Sequence, residues 1–345
     1  MKYMHNLFKL ILAGVMAMSV TPAFAQQDTL RILGVGNSWT RDSMRWLSAI
    51  ASSAGRPVIV GHAYLGGSTL EQQYRGIDDT TFTYRHRNID QVVPNTYQYW
   101  KYEGTPNPVK TPAKGYKNGL AGIGVTLESV VRDEPWDVVV FQPHVVVKAH
   151  IPAHGGFDMN AFVVRLKSMM EPEVAARLRC GLMVPVSYPE GNTDYRQRIV
   201  DAYNDGIRPS SQEEWDDLYE RMHHYIQTDA RTLAEHMGSN CLFVVNVGQA
   251  SYNARADRKL SGFGYLLQRA QNNTHLSEGI PMYIASLCYA YTLLDIEKDA
   301  PVFYPLYSKD AHLTGDTGNT IKTQVRNTPE DAARARDCAW EVVRR

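Results

Sequence analysis

Apolar runs of strand length alternate along this chain with segments whose apolar residues recur at helical spacing, the pattern of a parallel sheet covered on both faces. Strands are predicted at Leu30 to Val35, Pro57 to Tyr64, Trp136 to Phe141, Cys180 to Val184 and Cys241 to Val247. Between them, Met44, Leu47, Ile50 and Ala51 form one helical stripe that ends before Gly55. Leu120, Ile123, Leu127 and Val130 form a second, and Phe162, Leu166 and Met169 a third. Ser210-x-x-Glu213 reads as a capping box opening a helix that buries Trp215, Leu218 and Met222 and stops at Gly238. A last core helix is predicted from near Ser277, with Ile280, Ile284, Leu287, Tyr291 and Leu294 along it. Five strands in this alternation predict an α/β fold: a flavodoxin-like three-layer α/β/α sandwich with a five-stranded parallel sheet.

Two segments fall outside that minimal core. Residues 72–118 carry many aromatic residues among arginines, lysines and prolines, with a candidate hairpin strand at Thr96 to Tyr102. Its aromatics could stack on sugar rings while its cations pair with uronate carboxylates, or they could cover the edge of the sheet. Residues 297–345 form a tail with a helix predicted from Pro329 onward. Ahead of the core, residues 1–25 read as a secretory signal, with Lys2 and Lys9 at a basic start, an apolar stretch from Leu10 to Val20, and Ala23-Phe-Ala25 as the cleavage site. The mature protein, from near Gln26, is expected in the periplasm or outside the cell as a single domain over 26–345, with no membrane span after the signal is removed.

Charge and cysteine content narrow the partners. Removing Lys2 and Lys9 with the leader takes the basic count from 36 to 34 against 36 acids, a net −2 that argues against nucleic acid. Four cysteines, Cys180, Cys241, Cys288 and Cys338, are too few for a disulfide scaffold, and the first three lie in apolar contexts that suit buried thiols. His144, His150 and His154 cluster after the third strand, but their spacing matches no familiar metal-ligand pattern. Gly34-Val-Gly36 lacks the third glycine of a dinucleotide site, so no cofactor is called for.

The candidate chemistry lies at two element boundaries. Gly36-Asn37-Ser38-Trp39 ends the first strand and delivers Ser38 to the carboxyl edge of the sheet, where open α/β sheets bind ligands. Its plain alternative is a turn in which Ser38 or Thr40 is a helix N-cap. Near the other end of the chain, Asn272-Asn-Thr-His275-Leu-Ser-Glu278-Gly precedes the last core helix. Boundaries that follow strands converge on one edge, so Ser38 and His275 can meet as nucleophile and base.

Taken in order, GNSWT (36–40), YLGGSTLE (64–71), EPWDVVVFQP (134–143) and THLSEG (274–279) resemble the blocks of the SGNH (GDSL-like) hydrolase superfamily, in particular a secreted Bacteroidetes-type branch. The resemblance implies a serine esterase that needs no cofactor. It also implies an oxyanion hole built from the Ser38 N–H, a glycine N–H from Gly66 or Gly67, and the side chain of Gln142, in place of the usual Asn. Asn272 stands where the superfamily's Asp-x-x-His places the acid. That departure leaves three arrangements open: a Ser38–His275 dyad steadied by a main-chain carbonyl, an acid recruited from elsewhere such as Glu278, or a scaffold that has lost catalysis. Asp310-Ala-His312 echoes the histidine block and is a second candidate base. The expected substrate is an acylated poly- or oligosaccharide from which acetyl or methyl ester groups are removed. A glycan-binding protein on the same scaffold and a lipid or aryl esterase are the alternatives.

Overall fold

Strand β1 (Leu30–Gly36) is buried along its last five residues, and every other element is placed relative to it. In the computed structural model, residues 29–79, 81–86, 89–92, 97–104, 125–187, 196–257, 260, 275–314 and 320–343 are described. The signal segment, Asn272, and Leu120 and Ile123 of the second predicted stripe lie outside them. The strands continue as β2 (Val58–Tyr64), β3 (Thr83–His86), β4 (Ile89–Val92), β5 (Gln98–Glu103), β6 (Val138–Phe141), β7 (Arg179–Met183), β8 (Phe243–Val245), β9 (Tyr307–Thr314) and β10 (Thr320–Arg326).

The main sheet has six strands in the order β5-β2-β1-β6-β7-β8. All neighbours are parallel except β5, which runs antiparallel to β2 from Ile59 opposite Glu103 to Tyr64 opposite Gln98. The five-stranded sheet predicted from sequence is therefore one strand short, because Gln98–Glu103, overlapping the hairpin strand assigned to the insertion, joins the sheet as its edge. Tyr97, Tyr99 and Tyr102 from this segment are buried in the core, so these three rings cover the sheet edge and are not open to stack on a sugar.

Without β5 the order is the doubly wound one, with the first crossover running to one side of β1 and the rest to the other. The topological switch lies between β1 and β6, so the loops leaving those two strands open the crevice where such sheets bind ligands.

The helices are α1 (Ser38–Ser43), α2 (Leu47–Ser53), α3 (Leu70–Asp78), α4 (Leu127–Val131), α5 (Met159–Lys167), α6 (Pro172–Arg177), α7 (Arg196–Tyr203), α8 (Gln212–Met237), α9 (Val247–Ala256), α10 (Ile280–Leu293) and α11 (Pro329–Val343). The cap of α8 sits one residue later than predicted: Ser211 accepts from the Glu214 N–H, while Ser210 donates to the Glu214 carboxylate. Gly238 ends it as predicted. Helix α10 is buried nearly all round, as expected of a helix with no solvent face. Against it pack α11, α1 and α2. Ala332, Ala335, Cys338 and Ala339 of α11 are buried, so the tail helix belongs to the core rather than decorating it. None of the helices among the described residues is long and apolar enough to cross a membrane.

Buried hydroxyls fix α10 against the first helices. The Ser286 hydroxyl accepts from the Trp46 N–H at 3.0 Å and donates to the Ser43 carbonyl at 3.0 Å, satisfying two backbone groups freed where α1 ends. Ser43 Oγ lies 3.4 Å from Tyr289 Oη. At the start of α10, Gly279 has φ +116 and its α-carbon faces Ser308, where an added Cβ would come within 2.4 Å of the Ser308 α-carbon. The Ser308 hydroxyl accepts from the Ile280 N–H and donates to Asn327, tying the residues just after His275 to the β9–β10 hairpin.

Candidate active site

The turn after β1 places Ser38 at the first position of α1 and assigns the capping to its neighbour. Asn37 is the N-cap, its side-chain oxygen accepting from the Trp39 N–H at 3.1 Å. The sequence alternative in which Ser38 or Thr40 caps the helix is thus not what forms, and the partly exposed Ser38 hydroxyl is available for other work. It lies 3.4 Å from Nε2 of His275, 237 residues further along the chain.

On its other side the imidazole meets a carboxylate. Nδ1 of His275 is 2.6 Å from Oδ2 of Asp42, whose side chain is fully buried. An ionised carboxylate only accepts hydrogen bonds, so the imidazole proton belongs on Nδ1 and the Nε2 lone pair faces Ser38. Asp42 comes from α1 itself, one turn beyond Ser38, and i,i+4 spacing sets both side chains on one helix face. In the sequence this acid does not stand beside the histidine, where the family pattern puts it. The signal was Ser38-x-x-x-Asp42, visible once the segment after Asn37 is read as a helix.

Glu278, the other acid considered, turns away: Oε1 is 3.4 Å from Arg45 Nη2. Asn272 lies outside the described residues, so its position relative to His275 is not described. The Asp310–His312 strand is β9 in backbone, with side chains outside the described set. Of the remaining histidines, His144 and His150 are buried near each other after β6, and burial pushes the His150 pKa down to about 3. No group of three potential metal ligands comes together among the described residues.

Gln142, just after β6, bonds to the turn that carries Ser38. Its side-chain oxygen accepts from the Asn37 N–H at 3.0 Å and from the Thr40 hydroxyl at 3.3 Å, and its amide nitrogen donates to the Pro143 carbonyl. In this arrangement Gln142 braces the turn. Gly36 permits the close approach, since a Cβ there would lie 2.6 Å from Thr40 Oγ1 and 2.7 Å from the Gln142 carbonyl. The loop after β2 closes the third side. Leu65 N–H donates to the Gly36 carbonyl, Asn37 Nδ2 lies 3.4 Å from the Ser68 carbonyl, and Gln73 bridges Gly36 and Ser68. Gly66 and Gly67 form the turn in that loop, Gly67 with φ +66.

Beside Asp42 stands a cationic flank. Arg41 Nη2 is 3.2 Å from Asp42 Oδ1, and its guanidinium lies 5.7 Å from the centroid of the Tyr64 ring. The Tyr64 hydroxyl is held by Gln98 of β5. Arg45 lies over Trp46 and Tyr102. Beneath both arginines, His62 of β2 is fully buried, and burial, with the two arginines adding to it, pushes its pKa down to about 3, so it stays neutral.

No protein-family profile matches the chain, and no curated protein matches it. Among solved structures it is similar to a DUF4886 family protein from Bacteroides uniformis, at 18% identity and a TM-score of 0.63 over 92% of this chain and 95% of that one. It is also similar to a protein from Parabacteroides merdae described provisionally as a GDSL-like lipase, at 13% identity and a TM-score of 0.37 over 76% of this chain and 94% of that one. The first similarity extends to the whole fold. The second is too slight to bear on fold or chemistry.

Proposed function

We propose that this protein is a serine hydrolase of ester bonds in which Ser38 is the nucleophile, His275 the base and Asp42 the acid that orients it. The observation that carries the reading is the continuous relay Ser38 Oγ, His275 Nε2, His275 Nδ1, Asp42 Oδ2, with contacts of 3.4 and 2.6 Å. The 3.4 Å step is long for a resting hydrogen bond but within the range that tightens when substrate binds.

Ser38 Oγ attacks the ester carbonyl carbon as its proton passes to His275 Nε2. The tetrahedral intermediate collapses by breaking the bond to the alkoxy oxygen, which leaves as the alcohol with the proton from Nε2. Water, deprotonated by the same nitrogen, then attacks the acyl-enzyme and releases the acid and free Ser38. Asp42 keeps the tautomer and offsets the imidazolium charge. For the oxyanion, the N–H groups of Ser38 and Gly67 are the donors of choice. Ser38 opens a helix, where first-turn N–H groups have no intrahelical acceptor. Gln142 contributes by holding Asn37 in place.

As substrate we propose an acylated carbohydrate, with acetyl or methyl esters removed outside the cytoplasm after cleavage near Ala25. The leader-like segment and the family resemblance support this, and β5 does not, since its tyrosines are buried. The glycan-binding alternative drew on the absence of an acid next to His275, and Asp42 removes that ground.

The test is hydrolysis of p-nitrophenyl acetate, acetylated xylan and methyl-esterified pectin by the mature protein and its Ser38→Ala variant, with mass spectrometry after a fluorophosphonate probe. Ser38-dependent turnover and one adduct on Ser38 support the reading. Identical background from both proteins on all three substrates, with no adduct, would overturn it. Ser38-dependent activity on p-nitrophenyl acetate with none on either polysaccharide would keep the hydrolase and replace the carbohydrate.

A further inference from the structure

Of the six residues of α1, Trp39, Thr40, Asp42 and Ser43 are buried, and the two left partly open are Ser38 and Arg41. They stand three apart, and i,i+3 spacing sets them on one side of the helix, a turn from each other. A molecule that reaches the Ser38 hydroxyl therefore comes alongside the Arg41 side chain, which keeps 31% exposure.

The guanidinium is fixed from within. Nη2 is 3.2 Å from Asp42 Oδ1, the group lies 5.7 Å from the centroid of the Tyr64 ring, and the Tyr64 hydroxyl is held in turn by Gln98 of β5. A guanidinium carries five N–H donors in a planar fork, and among the described residues the contact with Asp42 is the one hydrogen bond this side chain makes. Glu278, the other carboxylate described at this site, pairs with Arg45 at 3.4 Å. The remaining donors of Arg41 belong to a cation that is already ordered, so a ligand binding to them pays little for immobilising it. The fork matches a carboxylate, which it can take through two parallel hydrogen bonds.

We propose that Arg41 is a specificity-determining residue that receives a carboxylate of the substrate beside the ester attacked by Ser38, so that acidic esters, such as an acylated carbohydrate bearing uronate groups, are preferred over neutral ones. This deepens the hydrolase reading above and rests on it. The contact with Asp42 holds the fork in place, and the outer donors do the selecting.

The experiment compares matched esters that differ in one charge. The first pair, mono-4-nitrophenyl glutarate and 4-nitrophenyl pentanoate, carries the carboxylate on the acyl side. The second, 4-acetoxybenzoate and its methyl ester followed by acetate release, carries it on the alcohol side. In the wild type, kcat/KM for the acidic member of one pair should exceed that for the neutral member by about tenfold at low salt, mainly through KM, and the ratio should shrink as salt is added. In Arg41→Gln or Arg41→Met, whichever keeps the wild-type circular dichroism, the ratio should fall to about one. Arg41→Lys, a point charge without the fork, should keep part of it. A residue that only steadies Asp42 would slow both members of a pair by the same factor, and an unchanged ratio in the neutral variant overturns the proposal. Calorimetry with trigalacturonate and its methyl ester on the Ser38→Ala protein, with and without Arg41→Gln, reads the same recognition without turnover. Tighter binding of the acidic trimer that Arg41→Gln abolishes supports the role of Arg41 even where the wild type hydrolyses no ester, in which case the hydrolase reading alone has failed. Turnover with no charge preference in either pair, or no turnover together with equal binding of the two trimers, overturns it.

Discussion

Asp42 lies one helical turn beyond Ser38 on α1, and its carboxylate, 2.6 Å from His275 Nδ1, holds the imidazole whose other nitrogen faces the Ser38 hydroxyl. The proposed nucleophile and acid thus ride on a single six-residue helix, and only the proposed base arrives from elsewhere in the chain. Any motion that carries α1 carries two thirds of the relay together. The register that must be kept is the one between α1 and α10, set by Ser286.

Replacing Asp42 by Asn keeps the shape and removes the charge, and an amide can present a donor to Nδ1 and stabilise the wrong tautomer. In a worked serine-protease case that change costs about 10⁴ in turnover. We expect Asp42→Asn to lower kcat by about 10³–10⁴ with KM changed little, and circular dichroism to show the fold retained. A loss of less than tenfold would mean that another group orients His275.

Asn272 makes the converse prediction. Because the Nδ1 proton of His275 is already given to Asp42, no second acceptor is needed at the position the family pattern reserves for the acid. Asn272→Ala should leave kcat/KM within about threefold of the wild type, and Asn272→Asp should give no gain, since the one Nδ1 proton already has its acceptor. Steady-state kinetics on a single ester decides it. A large gain from Asn272→Asp would place the working acid there instead of at Asp42.

How far the site could be read from sequence follows from what fixes each part. That Ser38 and His275 approach each other was legible because each stands at a boundary between a periodic segment and a turn. Asp42 was not, because Trp39 to Ser43 is too short to show a stripe, and a buried charge among apolar and hydroxyl side chains looks like a helix surface until the partner arrives from 233 residues away. The sixth strand was hidden for a related reason. Gln98 to Glu103 sets Tyr99, Trp100 and Tyr102 among polar residues without a clean alternation, a mix that suits an exposed hairpin equally well, and only pairing with β2 decides between the two. The helix of the tail was visible from Pro329, yet its burial was not, because alanines at 332, 335 and 339 give a weak apolar signal while allowing close packing on α10.

Ser286 gives a prediction about stability rather than chemistry. Its hydroxyl satisfies the Trp46 N–H and the Ser43 carbonyl, both inside the protein, and alanine would leave both without that partner. Losing a buried hydrogen-bond partner costs about 1–3 kcal/mol. We expect Ser286→Ala to lower unfolding free energy in urea by about that amount. Ser286→Thr, which keeps the hydroxyl but adds a methyl group to a filled site, should recover only part of it.

Two histidines that take no part in the relay set the response to acid. His62 and His150 are both buried, and burial pushes each pKa down to about 3, well below the ordinary value of 6.5. Well above pH 6.5 each is neutral in both the folded and the unfolded chain, so neither affects stability there. Below pH 6.5 the unfolded chain takes up a proton at each position and the folded chain does not, so stability falls as pH is lowered from 6.5 toward 3. The slope reaches about 1.4 kcal/mol per pH unit for each histidine. Urea midpoints measured from pH 7 down to 4.5 should therefore fall, and the fall should be shallower in His150→Gln by one proton's worth of slope. The same slope in the variant as in the wild type would show that His150 accepts a proton in the folded protein after all, and that the acid sensitivity has another source.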